Sequence, residues 1–258
     1  MRKSKMLEKF RSGRFARVCS LGHFLPFYVR YAAHFKFDGI WLDLEHRSMG
    51  EREVQSILAL CHTANIDCMV RPPTLERTKL YRYLEDGASG FLVPLVSTPE
   101  MAHGLVQAAK FPPIGNRGMD GAGLDADFGI AAWGEGMDFA GDANQETFIL
   151  PQIETLEAVA NAEAIASIEG IDGLFLGPAD LRLRIGAATG TSLTFEKAVE
   201  TVAAACEKHN KVWGIAVGSL EQLKRYQAMG AQIVPWGGDF ALMSMLDTHS
   251  QDLDSAGL

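Results

Sequence analysis

The chain has 258 residues, 47% of them hydrophobic and 22% charged, a balance that supports a large globular core and excludes a disordered polymer. The formal net charge of −8 excludes a nucleic-acid surface, because phosphate backbones are held by clustered Lys and Arg. No apolar run approaches the roughly 18 residues that a membrane-crossing helix requires.

Met1-Arg2-Lys3-Ser4-Lys5 is basic, but 7–17 alternates charges with isolated apolar residues and builds no apolar stretch of signal-peptide type. Strand-length apolar runs then follow at 17–21, 39–44, 67–71, 90–96, 147–153, 173–176, 212–217 and 232–236. Between them, 51–64, 75–86, 156–168, 195–209 and 220–229 carry apolar residues at helical spacing. Gly87, Gly170 and Gly230 stand where helices end and need a left-handed residue. Eight β–α units predict an α/β fold, a closed (β/α)8 barrel forming one domain over 1–258. The competing architecture, an open doubly wound sheet, normally carries a Gly-rich fingerprint after its first strand, and Ser20-Leu21-Gly22-His23 is not one. The Gly- and Pro-rich stretch 111–145 interrupts the rhythm, and a connection of that length is functional or contains short helices. Cys19, Cys61, Cys68 and Cys206 form no C-x-x-C pair and lie in apolar patterns, so they read as small buried thiols in a reducing cytoplasm.

In such a barrel the active site lies at the C-terminal ends of the strands. Several oily runs turn polar at that end: Asp43-Leu44-Glu45-His46, Arg71, Gln152 with Glu154, and Gly177-Pro178 leading into Asp180. Gln152 and Glu154 are two apart on a strand and point to one side, with Ile153 to the other. Asp180 follows the neighbouring strand, and two carboxylates so close repel unless a cation or a shared proton intervenes. A hard dication such as Mg²⁺ or Mn²⁺ satisfies that need. The bland alternative makes Glu154 the cap of a helix starting near Thr155 and Asp180 the cap of a turn. His46, beside Asp43 and Glu45, suits a general base oriented by a carboxylate, or else a structural histidine. Arg71 offers a planar fork for a substrate carboxylate or oxyanion, or else a rim salt bridge with Glu45 or Glu154. No lysine falls inside the barrel, which excludes Schiff-base chemistry and leaves a metal to stabilise any enolate.

Trp41-Leu42-Asp43-Leu44-Glu45-His46, Val70-Arg71-Pro72, the segment 112–118, Gln152-Ile153-Glu154 and Leu176-Gly177-Pro178-Ala179-Asp180-Leu181 together resemble the HpcH/HpaI family of class II pyruvate aldolases. The resemblance covers nearly the whole chain in the same order. It implies a barrel that uses a divalent cation (Mg²⁺, Mn²⁺ or Co²⁺) to cleave 4-hydroxy-2-oxo acids reversibly into pyruvate, or a close analogue, and an aldehyde. It also implies that Glu154 and Asp180 bind the metal, that Arg71 holds the pyruvyl oxygens, and that Gln152 lines the site. His46 with Asp43 then handles proton transfer, and the backbone of Gly177, Pro178 and Ala179 faces the substrate carboxylate. A homohexamer, built as a trimer of dimers, is implied as well. Two departures bear on the aldehyde pocket: Arg182 and Arg184 stand where small hydroxyl residues are usual, and the last strand ends in Pro235-Trp236-Gly237-Gly238-Asp239.

Barrels that cleave CoA esters of hydroxy acids, of the citrate lyase β and malyl-CoA lyase type, share the two carboxylates and the arginine. They normally carry a C-terminal extension over CoA, whereas this sequence ends at Leu258 soon after its last helical pattern. Oxaloacetate decarboxylation is a compatible side reaction, since it passes through the same enolate. A degenerate barrel kept for protein interaction predicts a missing ligand or base, and none is missing.

Overall fold

Seven of the eight apolar runs are strands in the computed structural model, which describes residues 1–258. They are β1 (Val18–Leu21), β2 (Gly39–Asp43), β3 (Asp67–Arg71), β4 (Gly90–Val93), β5 (Phe148–Ile153), β6 (Gly173–Leu176) and β7 (Val212–Ile215). All pair in parallel and in chain order within one curled sheet. The first helices are α1 (Lys5–Arg11), α2 (Pro26–His34), α3 (Glu51–Thr63), α4 (Arg77–Glu85), α5 (Pro99–Ala109) and α6 (Phe139–Glu146). After β5 come α7 (Leu156–Ala160), α8 (Ala162–Ala166), α9 (Pro178–Ala187), α10 (Phe195–Lys208), α11 (Leu220–Ala228) and α12 (Ala241–Ser255).

The expected eighth strand, 232–236, does not form a regular ladder. Pro235 has no N–H to donate, and Gly237 turns the chain with a φ of +82°. The segment nevertheless stands between β7 and β1 and bonds both. On one side the Ile215 N–H donates to Ile233 O (3.0 Å), and on the other the Trp236 N–H donates to Val18 O (2.9 Å) and the Ser20 N–H to Gly237 O (3.0 Å). Neither outer strand therefore ends in an open edge there, which matters because unpaired edge groups invite misassembly.

The remaining boundaries follow local chemistry. Gly87, Gly170 and Gly230 adopt φ of +106°, +90° and +94°, as helix ends of this kind require. The expected helix 156–168 is two helices, because Asn161 leaves helical geometry and its side-chain amide donates to Ser97 O at 2.8 Å. The long stretch before β5 holds α6 and a short 3-10 helix, Leu124–Gly129, around a small core that includes Phe111, Ala126 and Phe139.

Two cores lie on the two faces of the sheet. The larger packs the outer face against the helices, through residues such as Leu42, Val70, Ile153 and Leu176. The inner one collects Val18, Met69, Leu92, Phe148, Phe175 and Val212, and α1 closes it at the N-terminal end with Met6, Leu7 and Phe10. Helix α1 was not legible as an element, since seven residues with three apolar side chains carry little periodicity. Tertiary contacts hold it instead. Buried Asp67 accepts from Ser4 Oγ (2.6 Å), the Met6 N–H (2.8 Å) and Arg2 Nη2 (2.6 Å), while Ser4 caps the helix. All four cysteines are buried and free. With the N-terminal end filled, polar side chains gather at the other end of the strands.

Candidate active site

Alternation decides what faces inward. Trp41 packs on the inner cluster, so Asp43 two residues on shares its side; Met69 does the same for Arg71. Asp43 and Arg71 are register partners at the ends of β2 and β3. The Arg71 guanidinium donates from Nε (3.0 Å) and Nη2 (2.8 Å) to the two oxygens of Asp43, and its Nη1 lies 3.2 Å from Glu45 Oε2. It also rests 4.8 Å above the Trp41 ring. Burial raises the Asp43 carboxyl, but the Arg71 bonds outweigh it and hold the group below the usual carboxylate range. Of the ion pairs foreseen for Arg71, the one with Glu45 forms, while Asp43 takes the place expected for Glu154. Because each terminal guanidinium nitrogen carries a second N–H, the fork stays able to bind an oxyanion.

His46 is exposed, with Nε2 3.5 Å from Glu45 Oε2. Asp43 meets it through the main chain: Oδ1 accepts the N–H groups of Glu45 (3.1 Å) and His46 (3.3 Å). The carboxylate within ion-pair reach of the ring is thus Glu45.

Gln152 on β5 and Glu154 directly after it continue the inward series of Phe148 and Leu150, while Ile153 enters the outer core. Both polar side chains are buried, and Gln152 Oε1 has no hydrogen-bond partner. Thr155, and not Glu154, caps α7, its hydroxyl accepting the Ala158 N–H. Glu154 Oε1 instead accepts the N–H of Leu95 at 2.9 Å. Gly177 follows β6 alongside: a Cβ there would stand 2.7 Å from both Gln152 Nε2 and Glu154 Oε2, so only glycine leaves this gap open. Pro178 starts α9, Ala179 is exposed beside it, and Asp180 lies in the first turn with its Oδ1 accepting from Arg184 Nη1 at 2.7 Å. The capping reading of Glu154 is thereby replaced, and Asp180 is tied to an arginine one turn along its own helix.

Burial is the largest influence on Glu154, and the charges of Asp180 and Glu45 add to it; the Leu95 N–H and Arg71 oppose. The carboxyl is pushed up to about 7. Near neutral pH Glu154 therefore lies close to its midpoint of ionisation, chiefly because it is buried. No group of three or more His, Cys, Asp or Glu side chains is arranged around a common ion position. Glu154 and Asp180 lie within electrostatic reach of each other and each keeps one oxygen without a hydrogen bond, donor chemistry that fits a hard dication keeping most of its shell for water and substrate.

The raised Glu154 value has a pH signature. In chelator, the folded state holds a proton that the unfolded state releases above about pH 4.5, so stability contributed here falls as pH rises from about 4.5 to about 7 and then levels off. We expect Glu154→Gln to match the native chain below pH 4.5 and to exceed it by up to about 3 kcal/mol above pH 7, measured by urea unfolding. Parallel pH profiles for the two chains are the contrary result.

Several contributors escaped sequence reading. Leu95 acts through its backbone and has a φ of +55°, which nothing in its apolar run announces. Trp41 was visible only as part of a motif. His23, whose Nδ1 lies 2.7 Å from buried Asp239 at the β1 end, carried no signal besides its place. Lysine placement was legible: buried Lys110 donates to the carbonyls of Asn144 (2.8 Å) and Thr147 at the opposite, N-terminal edge of the sheet.

Carboxylates, a clamped arginine, a histidine and an uncommitted amide gather at the C-terminal ends of the parallel strands, the end at which α/β-barrel enzymes keep their active sites. The chain belongs to the HpcH/HpaI aldolase/citrate lyase family, whose profile matches residues 21–245. It is 32% identical over 220 residues to the hydroxypyruvate/pyruvate aldolase of Deinococcus radiodurans, covering 85% of this chain and 78% of that one. It is 34% identical over 208 residues to the 5-keto-4-deoxy-D-glucarate aldolase of Klebsiella pneumoniae, covering 80% and 79%. Among solved structures, the HpcH/HpaI aldolase of Desulfitobacterium hafniense superposes with a TM-score of 0.85 at 28% identity, over 95% of this chain and 94% of that one.

Proposed function

We propose that this protein is a class II aldolase, a carbon–carbon lyase that cleaves 4-hydroxy-2-oxo acids reversibly into pyruvate, or a close analogue, and an aldehyde. The observation that carries the reading is buried Glu154, raised to about 7 chiefly by its burial and further by the charges of Asp180 and Glu45, within electrostatic reach of Arg71. Relatives named as pyruvate and glucarate-type aldolases support it. The segment 232–239 serves as the eighth stave of a (β/α)8 barrel, since it bonds both β7 and β1.

Glu154 and Asp180 would hold the cation, Mg²⁺, Mn²⁺ or Co²⁺. When bound, that ion supplies the positive charge on which an enolate oxygen depends. Arg71, locked by Asp43 and Glu45, binds the 2-oxo acid through its remaining N–H groups and fixes the C3–C4 bond in the mouth. Gln152, which can donate from its Nε2, and the backbone of Gly177, Pro178 and Ala179 border the carboxylate of the acid. His46 takes the proton from the C4 hydroxyl in cleavage and returns it to the aldehyde oxygen in addition. Pyruvate release, followed by reduction with NADH and lactate dehydrogenase over a panel of 4-hydroxy-2-oxo acids, tests this. We expect turnover with at least one acid and one of the three metals, abolished by chelator; silence across the whole panel sinks the proposal.

No helix is long and apolar enough to cross a membrane. The four free thiols accord with a cytoplasmic enzyme. Helix α12 buries none of its fifteen residues and exposes Leu242, Met243, Met245, Leu246 and Leu253, a surface that a lone chain rarely leaves bare. We assign that surface to contact between copies in a homohexamer, arranged as a trimer of dimers. Sedimentation equilibrium should give a hexamer for the native chain and smaller species for Met243→Glu/Leu246→Glu. A native monomer contradicts the assignment.

A further inference from the structure

One of the two arginines that follow Asp180 bonds both Asp180 and Glu154. A single atom, Arg184 Nη1, donates both to Asp180 Oδ1 at 2.7 Å and to the main-chain carbonyl of Glu154 at 3.3 Å. Neighbouring carboxylates are relieved by a proton or a cation, and here the chain places a cation of its own on Asp180, from four residues along α9. The guanidinium side chain is 35% exposed and the Asp180 side chain 43%. The pair can therefore open by rotamer change into solvent, without unfolding.

We propose that Arg184 is a positioning residue that works as an exchangeable internal cation. In the metal-free enzyme it neutralises Asp180 and keeps the loop after β6 in its working shape; a dication enters by displacing it. The inference rests on the assignment of Glu154 and Asp180 as the metal-binding residues. It makes a prediction opposite in sign to the usual supporting role. An arginine that merely oriented a ligand would strengthen metal binding, and its loss would weaken affinity by about 10–100-fold. An arginine that competes for Asp180 weakens metal binding, and its loss strengthens affinity.

The test is Mn²⁺ binding to the chelator-stripped, full-length enzyme, with free Mn²⁺ read by electron paramagnetic resonance and the Kd checked by calorimetry. We expect Arg184→Gln and Arg184→Ser to bind Mn²⁺ roughly three- to tenfold more tightly than the native chain, the range set by losing one part-exposed ion pair and its charge repulsion. Arg184→Lys, which keeps the charge at this helix position, should stay within about twofold. Two changed side chains guard against a folding defect in either, and circular dichroism checks both. An unchanged or weaker Kd in the folded Gln and Ser variants overturns the proposal. Failure of the underlying assignment looks different: Mn²⁺ then binds Glu154→Gln as tightly as the native chain, or binds neither, and the proposal falls with it.

Discussion

Glu154→Gln should abolish metal-dependent cleavage while leaving the enzyme folded, with kcat/KM lower by about 10³-fold or more in saturating Mn²⁺. Gln preserves the size of the side chain and an oxygen to accept the Leu95 N–H, so the substitution removes charge and little else. What it removes is unfavourable to the fold: burial and two neighbouring carboxylates raise this carboxyl to about 7, and an ionised Glu154 is held against that preference. Activity and stability therefore move in opposite directions, as expected where a site is kept destabilised for its chemistry. Pyruvate release measured beside urea unfolding at pH 8 checks both. Full turnover in excess chelator, in either chain, removes the metal role; a large loss of stability would mean that Glu154 is structural.

Arg71→Lys should lower kcat/KM by about 10²–10³-fold and weaken inhibition by pyruvate in proportion, since each lost charged hydrogen bond is worth about 1.5–3 kcal/mol. Lysine retains the positive charge between Asp43 and Glu45 but cannot meet both oxygens of Asp43 while presenting further N–H groups to a substrate. Arg71→Ala has a second consequence. Asp43 and Glu45 lose their partner while burial remains, which costs about 2–4 kcal/mol of stability and lets the Asp43 carboxyl rise from its lowered value. In the native enzyme the contribution of Asp43 is present above the ordinary carboxylate range and is lost as pH falls through its lowered value, so the Ala variant should lose that acid dependence. An unaltered pyruvate inhibition constant in Arg71→Lys would remove this residue from substrate binding.

Much of this site was readable before any coordinates. A strand alternates its side chains every second residue regardless of where it packs, so Gln152 with Glu154, and the residue types ending β2, β3 and β5, followed from local order alone. Parallel β–α order places strand ends of one kind at one end of the sheet, which brought Asp43, Arg71 and Glu154 together and kept Lys110 away. Where the regular period failed, so did reading: Pro235 and Gly237 break the last ladder, and α1 is too short to show a pattern.

The sequence by itself thus determined the α/β order, the polar end of the sheet and the residues offered there, because those depend on chain-local periodicity and connectivity. Only the tertiary structure decided how those residues are spent. Arg71 is committed to Asp43 and Glu45, Glu154 to the Leu95 N–H, and Asp180 to Arg184. Each pairing depends on side-chain reach and on the low-dielectric surroundings that distant segments create together. A carboxylate's neighbours, and therefore its charge, are properties of the assembled fold.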